Sequence, residues 1–255
     1  MRTIFRPLLA ALTLFTGWAS AAEIHVPSAV PSLELAIAQA VDGDVIVLQP
    51  GTYEADSITI SGKSITIRGE GALPSQTTIS GVLILGHDWG AALVVSGASS
   101  FGLENVRVIG AEGYAGPPPA RCNGGEGGDG LPAVSLSAVG SVTMENVELM
   151  GGLGGWGLPN TGSCPAGGTR GNGAPGLVVD LGTTAAITGG KIEGGGGTVV
   201  GPAITLNNGS YVLGQGVGLD VDSTPWTASE ILLLDGASEA HGFGLLAAEG
   251  WSNYL

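Results

Sequence analysis

Gly43-Asp44-Val45-Ile46-Val47-Leu48-Gln49-Pro50-Gly51-Thr52-Tyr53 reads as one strand closed by a turn. Val45 to Leu48 is apolar, mostly β-branched and of strand length, and Pro50-Gly51 stops it with turn chemistry. Just upstream, Pro31 to Val41 spaces Leu33, Ala36, Ile37 and Ala40 at helical intervals, which predicts a short amphipathic helix over Ser32 to Val41. Ser32 stands where an N-cap belongs, and Glu34 falls in the first turn, where the helix dipole favours an anion. Downstream, Ile58-Thr59-Ile60 and Ile65-Thr66-Ile67 are two more short strands.

Working outward, the chain repeats itself. Leu103-Glu104-Asn105-Val106-Arg107-Val108-Ile109-Gly110 returns 41 residues later as Met144-Glu145-Asn146-Val147-Glu148-Leu149-Met150-Gly151. A third copy, Ile187 to Gly194, follows after another 43. Each copy has an apolar strand before it: Leu93-Val94-Val95, Val134-Ser135-Leu136 and Val178-Val179-Asp180. Self-similarity at a fixed period is the mark of stacked repeats. A period near 42 is long for one circuit, and the surplus is Gly-rich: Ala111 to Leu131 in one repeat, Gly152 to Gly176 in the next. Ile204-Thr205-Leu206 and Ile231-Leu232-Leu233-Leu234, spaced 27 apart, then read as single circuits without a large insert.

From Ile24 to Gly71 the order is helix, Gly-Asp, strand, Pro-Gly-Thr-Tyr and paired Ile-Thr-Ile strands. This order resembles the N-terminal cap and first coil of right-handed parallel β-helices of the pectin-lyase-like superfamily. The resemblance implies an all-β fold, a right-handed parallel β-helix (a solenoid) with a short N-terminal capping α-helix and Gly-rich loop inserts. That fold hosts lyases, hydrolases, adhesins and proteins without known activity, so function has to be argued from residues.

Residues 1–21 read as a secretory signal peptide: Arg2 and Arg6, an apolar Leu8 to Phe15, then the small-residue cleavage pattern Ala19-Ser20-Ala21. Residues 22–255 then form a single domain, secreted, extracellular or at the cell surface, with the periplasm as the other compartment. No later stretch has the ~20 apolar residues of a membrane span. The chain holds 22 acidic and 8 basic residues; removing Arg2 and Arg6 takes the net charge from −14 to −16. Such acidity argues against nucleic acid and anionic lipid as partners, and against acidic polysaccharide unless a cation bridges.

If one repeat is one coil, Arg107, Glu148 and Lys191 form an outward ladder of alternating charge. Asn105 and Asn146 then stack at a corner, where Asn tolerates turn geometry. Cys122 and Cys164, 42 apart in matching inserts, are the only cysteines, and in an exported chain they are expected to form a disulfide. Gly124 to Leu131 follows the G-G-x-G-x-D-x-U pattern of calcium-binding nonapeptides, with Asp129 as the metal candidate. The matching insert has Trp156 where that Asp should be, and such a site needs consecutive copies. No cofactor is therefore expected, calcium being the one alternative.

A lyase or hydrolase needs converging carboxylates, and Asp180, Asp220 and Asp222 are the catalytic candidates, with Asp220 and Asp222 on one face of a strand. No Asn-Thr-Asp, Asp-Asp or Arg-Ile-Lys motif of the polygalacturonase kind occurs. Trp89, Trp156 and Trp226 are the candidates for stacking on sugar rings. These readings favour an exported, non-catalytic surface or matrix protein that presents a lateral face to glycans or proteins. The alternatives are a carbohydrate-active enzyme (polysaccharide lyase or glycoside hydrolase) and a fragment of a longer adhesin. The C-terminal end, with no amphipathic cap after Ile231 to Leu234, is expected to be the site of any self-association.

Overall fold

The computed structural model describes residues 21–83, 90–116, 125–157, 168–180, 182–207, 210–213, 217–220, 231–233 and 240–241. The N-terminal part holds β1 (Glu23–Val26), helix α1 (Leu33–Gln39), β2 (Val45–Leu48), β3 (Gly51–Ala55), β4 (Ile58–Ser61) and β5 (Thr66–Gly69). Then come β6 (Thr77–Gly81), β7 (Leu93–Ser96), β8 (Ser100–Glu104), β9 (Arg107–Ile109), β10 (Val134–Ser137) and β11 (Ser141–Met150). The rest are β12 (Leu177–Asp180), β13 (Thr184–Glu193), β14 (Ile204–Asn207), β15 (Ser210–Leu213), β16 (Val217–Asp220), β17 (Ile231–Leu233) and β18 (Ala240–His241). Among the described residues the protein is all-β with one short α-helix, and every strand pair is parallel. Among the described residues no helix is long and apolar enough to cross a membrane.

Two sheets take the strands in alternation. The larger runs β1-β2-β5-β8-β11-β13-β15-β17, with β3, β6, β9, β16 and β18 joined along its side; the smaller runs β4-β7-β10-β12-β14. The 41-residue repeat is a hydrogen-bonded register, Leu103 opposite Met144, and the 43-residue step sets Met144 opposite Ile187. Strand geometry turns every second side chain inward, and β7, β10 and β12 all show alternate burial. Ile46, Ile60, Ile67, Leu93, Leu103, Leu136, Met144 and Val179 from both sheets share one hydrophobic cluster.

Two registers differ from the sequence reading. Val134-Ser135-Leu136 pairs with Leu177-Val178-Val179, one residue earlier than Val178-Val179-Asp180, because Leu177 and Val179 are the buried residues of β12. Ile231 does not continue the series of Ile204; β17 lies beside β15, with Ile231 opposite Tyr211. After β14 the chain enters the larger sheet at β15, so the next apolar run meets β15 as its neighbour.

The asparagine corner is present. Asn105 and Asn146 both have φ of 50°, and the third copy, Gly189, has φ of 66°. Asn146 Nδ2 donates to Asn105 Oδ1 at 2.9 Å, and Asn105 Nδ2 donates to the Gly69 carbonyl at 3.1 Å. The stack thus satisfies the polar groups of a turn that only Asn or Gly enters at little cost.

Arg107, Glu148 and Lys191 also lie in one register row. Arg107 Nε and Nη2 reach Glu148 Oε2 at 2.6 and 2.5 Å, while Lys191 pairs with Glu193 of its own strand. The Arg107–Glu148 side chains keep 32% and 28% of their surface exposed, so the pair is partly screened. Glu148→Lys is expected to cost about 1 kcal/mol at low ionic strength and less in high salt. Thermal melts at two salt concentrations measure this, and unchanged midpoints in low salt would contradict it.

Helix α1 packs against β1 and β2 at the N-terminal edge of the larger sheet. Ser32 Oγ accepts the Leu35 N–H at 3.3 Å, and Leu33, Ala36 and Ile37 are buried. The helix stops at Gln39, two residues short of the expected Val41, with Ala40 as a non-helical C-cap. Lys63 Nζ donates to the Ile37 and Ala38 carbonyls at 2.7 and 2.9 Å, supplying positive charge where the helix dipole is negative. Asp44, after the helix, is buried.

Candidate functional site

The Gly-rich inserts have their own architecture, built on a three-residue period. Gly110, Gly113 and Gly116 donate their N–H groups to the carbonyls of Met150, Leu153 and Trp156, at 2.8, 2.8 and 3.0 Å. Gly128 and Leu131 donate backwards to Tyr114 and Ala111, and Gly152 and Gly155 donate to Leu131 and Gly128. Gly171 and Ala174 continue with Gly155 and Gly152, then Gly195 and Thr198 with Ala174 and Gly171. A chain that offers equivalent groups every third residue matches the three-residue turn of a polyproline II helix, which has no hydrogen bonds of its own. Its N–H and C=O groups are therefore free to bond neighbouring segments.

The result is a lattice of extended segments: 110–116, 151–157 and 194–197 run one way, and 125–131 and 168–176 run back between them. At many of the glycines the backbones lie so close that no side chain fits between them. A Cβ on Gly171 would stand 1.9 Å from the Gly128 oxygen, and one on Gly154 would stand 2.0 Å from the Gly171 oxygen. Gly151-Gly152-Leu153-Gly154-Gly155-Trp156-Gly157 shows the rule in its sequence: two residues of three face neighbouring backbone and are Gly. The third residue faces solvent.

That third row carries the chemistry. Glu112 and Ala115, Glu126 and Asp129, Leu153 and Trp156, and Thr169 and Asn172 are all exposed. Trp156 keeps 64% of its surface in solvent and Leu153 keeps 44%. The Arg170 guanidinium lies over the Trp156 ring, 4.6 Å from its centroid, while Arg170 Nε donates to the Gly154 carbonyl at 2.8 Å. The cation–π contact and this hydrogen bond hold the indole in one orientation. An oriented aromatic loses little rotamer freedom when a ligand stacks on it.

The other sequence candidates divide. Asp129 Oδ1 accepts the Asn172 N–H at 2.7 Å, so this carboxylate ties one insert to the next. Among the described residues no group of three or more His, Cys, Asp or Glu is placed to hold a metal ion. Asp180 ends β12, half-buried and opposite Asn207 in the smaller sheet. Asp220 ends β16 in the larger sheet, opposite Glu193, so the fold does not put Asp180 and Asp220 in one register row. Cys122, Cys164, Trp89, Trp226 and Asp222 lie outside the described residues, as does the chain after His241. Arg170 was not among the sequence candidates; the signal that leads to it is the Gly-Gly-x period around Trp156.

No protein-family model matches the chain, and no curated protein matches it.

Proposed function

We propose that the chain is an exported, non-catalytic right-handed parallel β-helix protein that binds glycans on its glycine-rich face. The solenoid reading is supported by the uniformly parallel pairing, the in-register steps of 41 and 43 residues and the alternation between two sheets that share one hydrophobic cluster. The right-handed sense follows from the strong preference of parallel crossovers. The pectin-lyase-like resemblance and the Ala19-Ser20-Ala21 leader pattern agree with it.

The single observation that carries the binding role is Trp156, exposed and held flat by Arg170. A planar indole on a rigid backbone lattice suits the apolar face of a sugar ring. The surrounding acidity selects neutral glycans over polyanionic ones. Incubation of the processed protein with neutral and acidic polysaccharides, with and without calcium, tests this directly. Binding to a neutral glycan is expected, with Trp156→Ala weakening it by about 2 kcal/mol, roughly 30-fold in Kd. Full binding by that variant overturns the site. Release of reducing ends or unsaturated products would establish a glycoside hydrolase or polysaccharide lyase instead.

A further inference from the structure

Asp44 is the only charged side chain buried among the described residues, with 4% of its surface exposed. Its Oδ2 accepts the Val41 N–H and its Oδ1 accepts the Ala22 N–H, both at 2.9 Å. These two bonds hold the carboxyl below its ordinary value, Val41 contributing most and Ala22 next, against the opposing effect of burial. A buried carboxylate is ordinarily matched by a cation. The nearby cations are engaged elsewhere: Lys63 on the Ile37 and Ala38 carbonyls, and Arg68 on Glu23 at 2.7 Å.

One of the two donors stands at a telling place in the sequence. Ala22 directly follows Ala19-Ser20-Ala21, the small-residue pattern at which a signal peptidase cuts. Hydrolysis there breaks the Ala21–Ala22 peptide bond. The hydroxyl of water goes to the Ala21 carbonyl carbon, and the Ala22 nitrogen leaves as a primary amine. With an ordinary pKa of roughly 7.7–8.0, that amine takes a proton at neutral pH. Both residues are exposed, open to a protease and to the water that solvates the remaining ammonium hydrogens. The Ala22 carbonyl is already fixed by the Val45 N–H at 2.9 Å, so the nitrogen has no distance to travel.

We propose that Asp44 is the seat of the mature N-terminus: leader removal converts a neutral amide donor into the ammonium counter-ion of the buried carboxylate. The cleavage pattern comes from sequence and the lone buried carboxylate from structure, and they meet on one nitrogen atom. The pair joins the first residue of the mature chain to the end of α1 and the start of β2. Processing therefore locks the N-terminal cap, and the fold reaches full stability only after export.

The test compares the exported, processed protein with a chain that retains Ala21 ahead of Ala22, each also made as Asp44→Asn. Intact mass should place the processed N-terminus at Ala22. The processed chain should melt about 2–4 °C above the extended one, and the Asp44→Asn pair should show no difference. A mature N-terminus elsewhere, or a difference that survives in Asp44→Asn, overturns the proposal. If Asp44→Asn does not fold, acetylation of the Ala22 amine decides: at least about tenfold slower in the native than in the denatured protein supports the pair, and equal rates overturn it.

Discussion

Gly155→Ala is expected to dissolve the glycine lattice while leaving the sheets folded. The new Cβ would stand 2.1 Å from the Tyr114 oxygen and 2.4 Å from the Gly113 oxygen, both backbone atoms that cannot swing aside. Segments 110–116 and 151–157 would have to part. The Gly155 N–H to Gly128 bond at 2.8 Å and the Gly171 N–H to Gly155 bond at 2.9 Å would then be lost or distorted. Two backbone bonds left unmade, together with the overpacking, cost roughly 3 kcal/mol or more. Few apolar side chains bind these segments together, so nothing offsets the loss locally. Amide hydrogen exchange reads it out: protection at Gly128, Gly152 and Gly171 should fall about 100-fold or more, while Leu103 and Met144 keep theirs. Leu153→Ala, on the solvent-facing row, serves as the control and should change protection little. Equal effects of the two substitutions would show that the lattice does not depend on close backbone approach.

Leu103→Ala should lower stability by about 2–5 kcal/mol, which corresponds to a Tm loss of roughly 5–15 °C in a domain of this size. Leu103 is fully buried and stands in register between Ile67 and Met144, one rung of an interior apolar row. Truncation leaves a cavity whose walls are set by the hydrogen-bonded spacing of the strands on either side, so they cannot close over it. Leu103→Met keeps the volume and should cost under about 1.5 kcal/mol. Calorimetric or circular-dichroism melts compare the two, and a Leu103→Ala protein within 2 °C of wild type would contradict this role.

The acidic composition and the lattice together give the surface its character. The charged rows on β9, β11 and β13 pair among themselves, Arg107 with Glu148 and Lys191 with Glu193. On the lattice the charges stand three residues apart by geometry, Glu126 then Asp129, and between the neighbouring segments Trp156 and Arg170 form the aromatic platform. The glycan-binding role proposed above needs no groove. It needs only that the third residue of each turn point outward, which the backbone contacts enforce.

Much of this architecture is legible in the sequence because its signals are local. Ser32 caps a helix through a bond three residues away, alternate burial in β7 and β10 follows the two-residue period of a strand, and Asn105 and Asn146 announce their corners by tolerating positive φ. The repeat also set Arg107, Glu148 and Lys191 in one row. What only the tertiary structure decided are the relations between segments far apart in the chain. Lys191 turned to Glu193, Ile231 took its register opposite Tyr211, and Asp129 was drawn to Asn172, 43 residues on. Asp44 stands in the sequence only as the residue before an apolar run, yet the Ala22 and Val41 N–H groups converge on it and it is buried. The glycine lattice is the clearest case. A three-residue helix makes no hydrogen bond within itself, so its glycines look like loop until the neighbouring backbone that crowds out a side chain at most of them is in place.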